Sequence, residues 1–149
     1  MNKNPLLKLD NQICHSLYSA TNALIRTYRP LLEKLELTYP QYIVMLALWD
    51  EDNVIIKNLV KRTRFDAGTL TPILKRLENK QLVSIAKSSD DSRQKVVLLS
   101  AQGKALVNNA KKVPEALICQ IEMAPQDALQ LKVLAEQLYA QLTFQEKNS

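Results

Sequence analysis

Two cysteines, Cys14 and Cys119, one histidine, His15, and a dense run of lysines and arginines are the residues whose types could do chemistry. A reachable cysteine that is part thiolate can be oxidised to a sulfenic acid and from there to a disulfide. Taken alone, Cys14 fits either that role or a buried, inert core thiol. His15 is not placed to act as its base, because adjacent helical residues point about 100° apart; it reads as surface. One histidine and two distant cysteines make neither a zinc site nor a disulfide framework, so no metal and no cofactor is expected.

The basic residues are concentrated. The window 57–95 holds ten Lys and Arg against four acids, a net +6, while the whole chain is +5 and the remainder therefore −1. Such a block fits a polyanion-binding surface or a solvated charged face.

The elements that would position these groups follow from caps and periodicity. Asp10 is the expected cap of a first helix carrying Ile13, Cys14, Leu17, Tyr18, Leu24, Ile25 and Tyr28, with Asn4-Pro5 a competing start. Its apolar residues cover more than one stripe, as in a helix held between its own core and a second chain. Thr38-Tyr39-Pro40-Gln41 spells a capping box. The helix behind it ends near Asp50-Glu51-Asp52, and a short helix follows at about 56–64. Asp66 opens another that reaches about Gln81. Pro72 should delay its start to Thr69 or bend it. The period then shortens to two. Val83 and Ile85, then 96–99, read as a two-stranded hairpin with a polar tip. Ser100 caps a helix striped by Leu106, Ala110, Val113, Leu117 and Ile121, which Pro114 should kink. Pro125 begins a last helix with Leu131, Leu134, Leu138 and Leu142.

Short helix, turn, second helix, hairpin is the order of a winged helix-turn-helix, and the basic block covers that unit. The second helix would present Thr69, Thr71 and Pro72 to base edges, with Lys75 and Arg76 one turn on. Asp91 and Arg93, two apart in extended chain, would project together from the hairpin tip. The aspartate would hold the guanidinium toward a narrow minor groove, with Lys95 behind it. Met45, Trp49, Tyr18, Tyr42 and Tyr139 read as packing residues.

Composition excludes other classes. The 149 residues suit one domain, 46% hydrophobic, which argues against wholesale disorder. Two glycines are too few for a Rossmann loop, a P-loop or a turn-rich sandwich. No apolar run approaches the roughly 18 residues of a membrane span, and no signal peptide is apparent, so a cytoplasmic location is expected.

Residues 35–42 (Leu-Glu-Leu-Thr-Tyr-Pro-Gln-Tyr), 66–72 (Asp-Ala-Gly-Thr-Leu-Thr-Pro), the wing Asp91-Ser92-Arg93 and 99–103 (Leu-Ser-Ala-Gln-Gly) resemble the MarR family of winged-helix regulators. Leu9-Asp10-Asn11-Gln12-Ile13-Cys14, Tyr28-Arg29-Pro30-Leu31-Leu32 and Thr38-Tyr39-Pro40-Gln41 are similar to its organic-hydroperoxide-sensing repressors. The resemblance implies a mainly α chain with a small β-hairpin wing, forming one domain over 1–149. The winged unit would span about 38–99, and dimerisation helices about 9–36 and 100–144. It implies a cytoplasmic homodimer on a pseudo-palindromic double-stranded DNA operator, released when an organic hydroperoxide oxidises Cys14. Tyr28 and Tyr39 map onto the family's tyrosine pair, whose hydroxyls donate to the thiolate. Cys119 resembles the resolving cysteine of two-cysteine members; it falls about 200° from Leu117, off the apolar stripe.

Two other readings stay open at this point. One is a repressor answering a small aromatic ligand or other electrophile, with Cys14 inert. The other is a thiol peroxidase, which leaves the basic unit without a use.

Overall fold

The computed structural model describes residues 3–148. They fall into two compact units, one ending at Leu117 and one beginning at Ile118.

In the first unit, α1 (Ile13–Glu33), α2 (Tyr39–Asp50), α3 (Ile56–Thr63), α4 (Ala67–Asn79) and α5 (Ala101–Ala110) surround a small sheet of β1 (Val54–Ile55), β2 (Val83–Lys87) and β3 (Lys95–Leu99). A sixth helix, α6 (Lys112–Gln120), runs across the boundary. The architecture is the expected one: mainly helical, with a wing. The sheet has one strand more than expected. All pairs are antiparallel in the order β1-β3-β2, with Val54 opposite Val97 and Val83 opposite Leu99. A two-residue strand shows no alternation, so periodicity could not reveal it.

The core forms where α2, α4 and β3 meet. Tyr42, Val44, Met45, Leu48, Leu59, Leu70, Leu74, Leu77 and Val97 are buried there, joined by Leu32 from the end of α1. The α2 cap is the expected box: Thr38 Oγ1 accepts the Gln41 N–H at 3.4 Å, and Gln41 Oε1 accepts the Thr38 N–H at 3.2 Å. Both glycines lie inside helices, so the left-handed turn positions fall to Glu36, Asn53, Arg64 and Gln81. Arg64 is the helix-turn-helix turn itself, capping α3 at φ 61°.

The start of α1 differs from expectation. Asp10 does not cap it. Residues Pro5–Leu7 and Leu9–Asn11 form two single 3-10 turns, and α1 begins at Ile13 with Gln12 as N-cap. Asn4 caps the first of these turns through a bond from the Leu6 N–H. The Gln12 amide folds back to donate to the carbonyls of Leu6 and Lys8 at 2.7 and 3.0 Å, fixing the chain before the helix. Cys14 is therefore the second helical residue, not the fourth.

Pro72 neither delays nor interrupts α4. Asp66 accepts the Thr69 N–H at 2.8 Å, and the helix runs unbroken from Ala67. The missing N–H leaves only the exposed Gly68 carbonyl without its usual donor. The expected kink at Pro114 is instead a break one turn earlier, at Lys111, between α5 and α6. Ala110, Val113 and Leu117 are buried as expected, whereas Ile121 lies beyond the helix and is exposed.

The second unit is chiefly α7 (Pro125–Lys147), which has no buried residue. Leu131, Leu134 and Leu142 are each more than half exposed in the single chain. Tyr18 at 70% and Tyr139 at 40% are likewise exposed in the single chain rather than part of its core. Among the described residues, no helix is long and apolar enough to cross a membrane.

Asp52 ties the sheet to the helices. Its carboxylate accepts the N–H groups of Leu99 and Asn53, both at 2.8 Å, and meets Lys104 Nζ at 3.2 Å. Burial pushes the carboxyl up, but the two backbone donors and Lys104 outweigh it and hold it below its ordinary value. A carboxyl depressed by folding stabilises above its unfolded pKa, and that stability is lost as pH falls through the folded one. Asp52→Ala strips the Leu99 N–H of its partner and should cost about 2 kcal/mol. Urea denaturation at neutral pH would show this, with the gap from wild type closing below about pH 4.

Candidate DNA interface and thiol site

The apolar spacing of α4 buries Leu70, Ile73, Leu74 and Leu77, which turns Thr69, Thr71, Pro72, Lys75 and Arg76 outward together. These five residues make one exposed face, as a helix entering a major groove requires. The Thr71 hydroxyl donates to the Ala67 carbonyl at 2.8 Å. What it offers outward is a methyl group and an acceptor, with its hydrogen already used.

The wing tip is a turn rather than extended chain. The Gln94 N–H donates to the Asp91 carbonyl at 3.0 Å, and Asp91 Oδ1 accepts the Arg93 N–H at 3.0 Å. The same carboxylate receives Arg93 Nε at 3.2 Å and one terminal nitrogen at 3.4 Å. These bonds, the backbone one first, hold the Asp91 carboxyl below its ordinary value. The tip is a turn, yet the pairing stands: the Arg93 side chain is 89% exposed and its guanidinium is held by its own turn. Lys95 follows, exposed, at the start of β3.

Not every base in the block faces outward to a ligand. Arg62 pairs with Asp50 and Glu51 at the end of α2. Lys80 donates to the Glu36 carbonyl and, at 2.9 Å, to Gln41 Oε1. It bridges the end of α4 to the capping box of α2, and Gln41 is buried. Lys80 therefore serves the frame. Net charge could not separate it from the others, since only tertiary structure brings positions 36, 41 and 80 together.

Cys14 is exposed, which removes the reading of a buried core thiol; Cys119, on α6, is exposed too. His15 is exposed as expected. Tyr28 and Tyr39 come together from α1 and α2, ring centroids 5.1 Å apart, with Tyr42 5.8 Å from Tyr28. Burial raises the Tyr28 and Tyr39 phenols above their ordinary value, and neighbouring phenols raise Tyr28 further. Both hydroxyls are therefore protonated donors at neutral pH. Cys14 is not beside them. It precedes Tyr28 by fourteen residues on one uninterrupted helix, about 21 Å at 1.5 Å per residue. Tyr42 packs in the core, as expected, and is also the third ring of this cluster. An open cavity of about 400 Å³ adjoins Tyr39, lined by Ile25, Arg29, Leu32, Glu33, Leu37, Thr38 and Pro40.

The family model described as "Transcriptional regulator SarA/Rot" matches residues 26–110. The organic hydroperoxide resistance transcriptional regulator of Bacillus subtilis is 36% identical over 131 residues, 88% of this chain and 89% of that protein. This chain belongs to the MarR/SarA family of winged-helix transcriptional regulators. Its activity is DNA-binding regulation of transcription, and the thiol-peroxidase reading falls with that. Among solved structures, reduced AbfR bound to DNA superposes with a TM-score of 0.79 at 28% identity, covering 96% of this chain and 98% of that one. The disulfide form of AbfR, a Staphylococcus epidermidis protein, gives 0.62 at 28% identity over 93% and 92%.

Proposed function

We propose that this regulator is a homodimeric, thiol-switched repressor that leaves its operator when an organic hydroperoxide oxidises Cys14. One observation carries the reading. The thiol is exposed at one end of α1, while Tyr28, whose ring meets Tyr39 of α2, lies some 21 Å further along the same helix. One chain holds both halves of a sensor but cannot close it; a second copy crossing α1 can. The open apolar residues of α1 and α7 suit the same partner. Two winged units related by a two-fold axis would read a pseudo-palindrome in the cytoplasm, with half-sites about one helical turn apart. Base contact falls to Thr69, Thr71, Pro72, Lys75 and Arg76, and wing contact to Asp91-held Arg93 and Lys95.

The chemistry balances with the residues present. The Cys14 thiolate attacks the distal peroxide oxygen. The O–O bond breaks, the leaving alkoxide takes a proton from water to become the alcohol, and the sulfur becomes a sulfenic acid. The cavity beside Tyr39, with Ile25, Leu32, Leu37 and Pro40 in its lining, suits the alkyl part of such a substrate. The thiolate of Cys119 of the partner subunit then attacks that sulfur, forming a disulfide and expelling hydroxide, which takes up a proton from solvent to leave as water. Cys119 suits this step because it is exposed, off the stripe that buries Val113 and Leu117. A disulfide requires Cα atoms within about 7 Å. Drawing the helices to that distance would move the winged units out of register with successive major grooves.

Operator binding with and without stoichiometric cumene hydroperoxide tests this, read alongside a non-reducing gel. Wild type should release DNA and run as a covalent dimer. Cys14→Ser should stay bound, and both Cys14→Ser and Cys119→Ser should lose the dimer band. Release of Cys14→Ser as readily as wild type would favour the ligand-responsive reading. A monomeric wild-type band would remove Cys119 from the switch.

A further inference from the structure

The wing places two lysines where a sheet ordinarily avoids them. Lys87 and Lys95 are directly opposite in the β2–β3 ladder. One step toward the tip, the Ser88 N–H donates to the Gln94 carbonyl at 2.8 Å. By alternation, Lys87 and Lys95 form a non-hydrogen-bonded pair, whose Cα atoms approach to about 4.5 Å with side chains at their closest. Like charges in that position destabilise a sheet. Both lysines continue the face of Val83, Ile85, Val97 and Leu99, which shares the core with Leu74 and Leu77 of α4.

Lys57 joins Lys95 from the other side of β3. An open cavity of about 320 Å³ is lined by Ile55, Ile56, Lys57, Arg93, Gln94 and Lys95. Three of these six residues are cationic and none is acidic. Lys57, Lys87 and Lys95 have no carboxylate partner among the described residues, and Asp91 is occupied by Arg93.

We propose that Lys57, Lys87 and Lys95 form a seat for one DNA backbone phosphate at the base of the wing, between the bases facing α4 and the minor groove facing Arg93. This rests on the reading that the winged unit binds operator DNA. The seat costs the free chain stability, because Lys87 and Lys95 repel each other. The seated phosphate relieves that repulsion. One residue thus weakens the free fold and strengthens the complex, a pair of signs that neither a solvated lysine nor a structural one would give.

The test uses the reduced full chain and its Lys87→Gln and Lys57→Gln variants. Lys87→Gln should raise the melting temperature of the free protein at about 0.02 M salt and lose that gain at about 0.5 M, where exposed charges are screened. Because the lysines share one phosphate, Lys57→Gln and Lys87→Gln combined should lower the slope of log affinity against log salt by up to about 0.9, about an eightfold loss of operator affinity at 0.1 M salt relative to 1 M, and each single variant should lower it by part of that. An unchanged slope, or a lower melting temperature for Lys87→Gln, overturns the seat. Inorganic phosphate stabilising wild type while operator slopes stay unchanged would make it a free-anion site, which also overturns the proposal. Arg76→Ala is the control. If it too leaves operator binding unchanged, the fault lies with the DNA-binding surface as a whole; if it alone weakens binding, the fault lies with the seat.

Discussion

Gly103→Ala should be on the order of 4 kcal/mol less stable than wild type, at the exceptional end for a single methyl group. The glycine is buried in the first turn of α5, against Leu82 just before β2, Leu99 of β3 and Trp49 of α2. A Cβ there would sit 2.1 Å from the Leu82 carbonyl oxygen and 3.1 Å from its carbon. That oxygen is backbone and already accepts the Ser100 N–H at 3.0 Å, so it cannot swing aside as a side chain would. Gly103 is itself bonded twice: its N–H donates to Ser100 Oγ at 2.9 Å, and its carbonyl accepts Trp49 Nε1 at 2.9 Å. Displacing α5 to make room would strain all three bonds, each worth about 1 kcal/mol. Thermal denaturation should show a fall of roughly 10 °C for a chain of this size. Gly68→Ala is the comparison. Its Cβ would meet only Asp66 Oδ1, at 3.3 Å. The gain in helix propensity of up to about 1 kcal/mol should offset the loosened cap. If both alanine variants melted with wild type, the close approach of α5 to Leu82 would be wrong.

The same glycine marks the boundary between what the sequence discloses and what it does not. The capping box at Thr38, the Asp66 and Ser100 caps and the face of α4 are local, set by residues three or four apart, and the structure repeats them. The need for glycine at 103 comes from a carbonyl twenty-one positions earlier. The third strand is paired across forty residues. Gln12 displaces Asp10 as cap because its amide reaches back to carbonyls of the preceding turn, which no propensity encodes. At the site, the outward residues of α4 were legible because burial of one helical face dictates the other. The turn at Asp91 was not, since an aspartate two residues before an arginine suits extended chain and turn alike. The diversion of Arg62 and Lys80 to structural pairs was invisible in a charge count. The placement of Cys14 was the least legible, because α1 carries apolar residues on several sides, and only its packing tells which side meets its own chain.

Mixing two insensitive variants should restore sensing. Chains carrying Cys14→Ser have intact tyrosines but no thiol. Chains carrying Tyr28→Phe and Tyr39→Phe have the thiol but no hydroxyl donors. Removing two hydrogen bonds to an ionised group, at about 1.5 kcal/mol each, should slow oxidation of the second homodimer about a hundredfold. In a mixed dimer the arrangement depends on which chain serves which. If the tyrosines serve the partner's thiol, the remaining cysteine faces the intact pair of the serine chain, and one complete sensor forms. If each chain served its own thiol, the mixed dimer would contain none. The length of α1 favours the shared site proposed above, because about 21 Å of unbroken helix separates Cys14 from Tyr28 within a chain. Random pairing of equal amounts makes about half the dimers mixed. Co-expressed, differently tagged chains would isolate them. Stopped-flow measurement of thiol loss after cumene hydroperoxide should then show one cysteine per mixed dimer reacting at close to the wild-type rate, followed by operator release. Oxidation no faster than in the phenylalanine homodimer would exclude the shared site, and a phenylalanine homodimer as fast as wild type would remove the tyrosines from the mechanism.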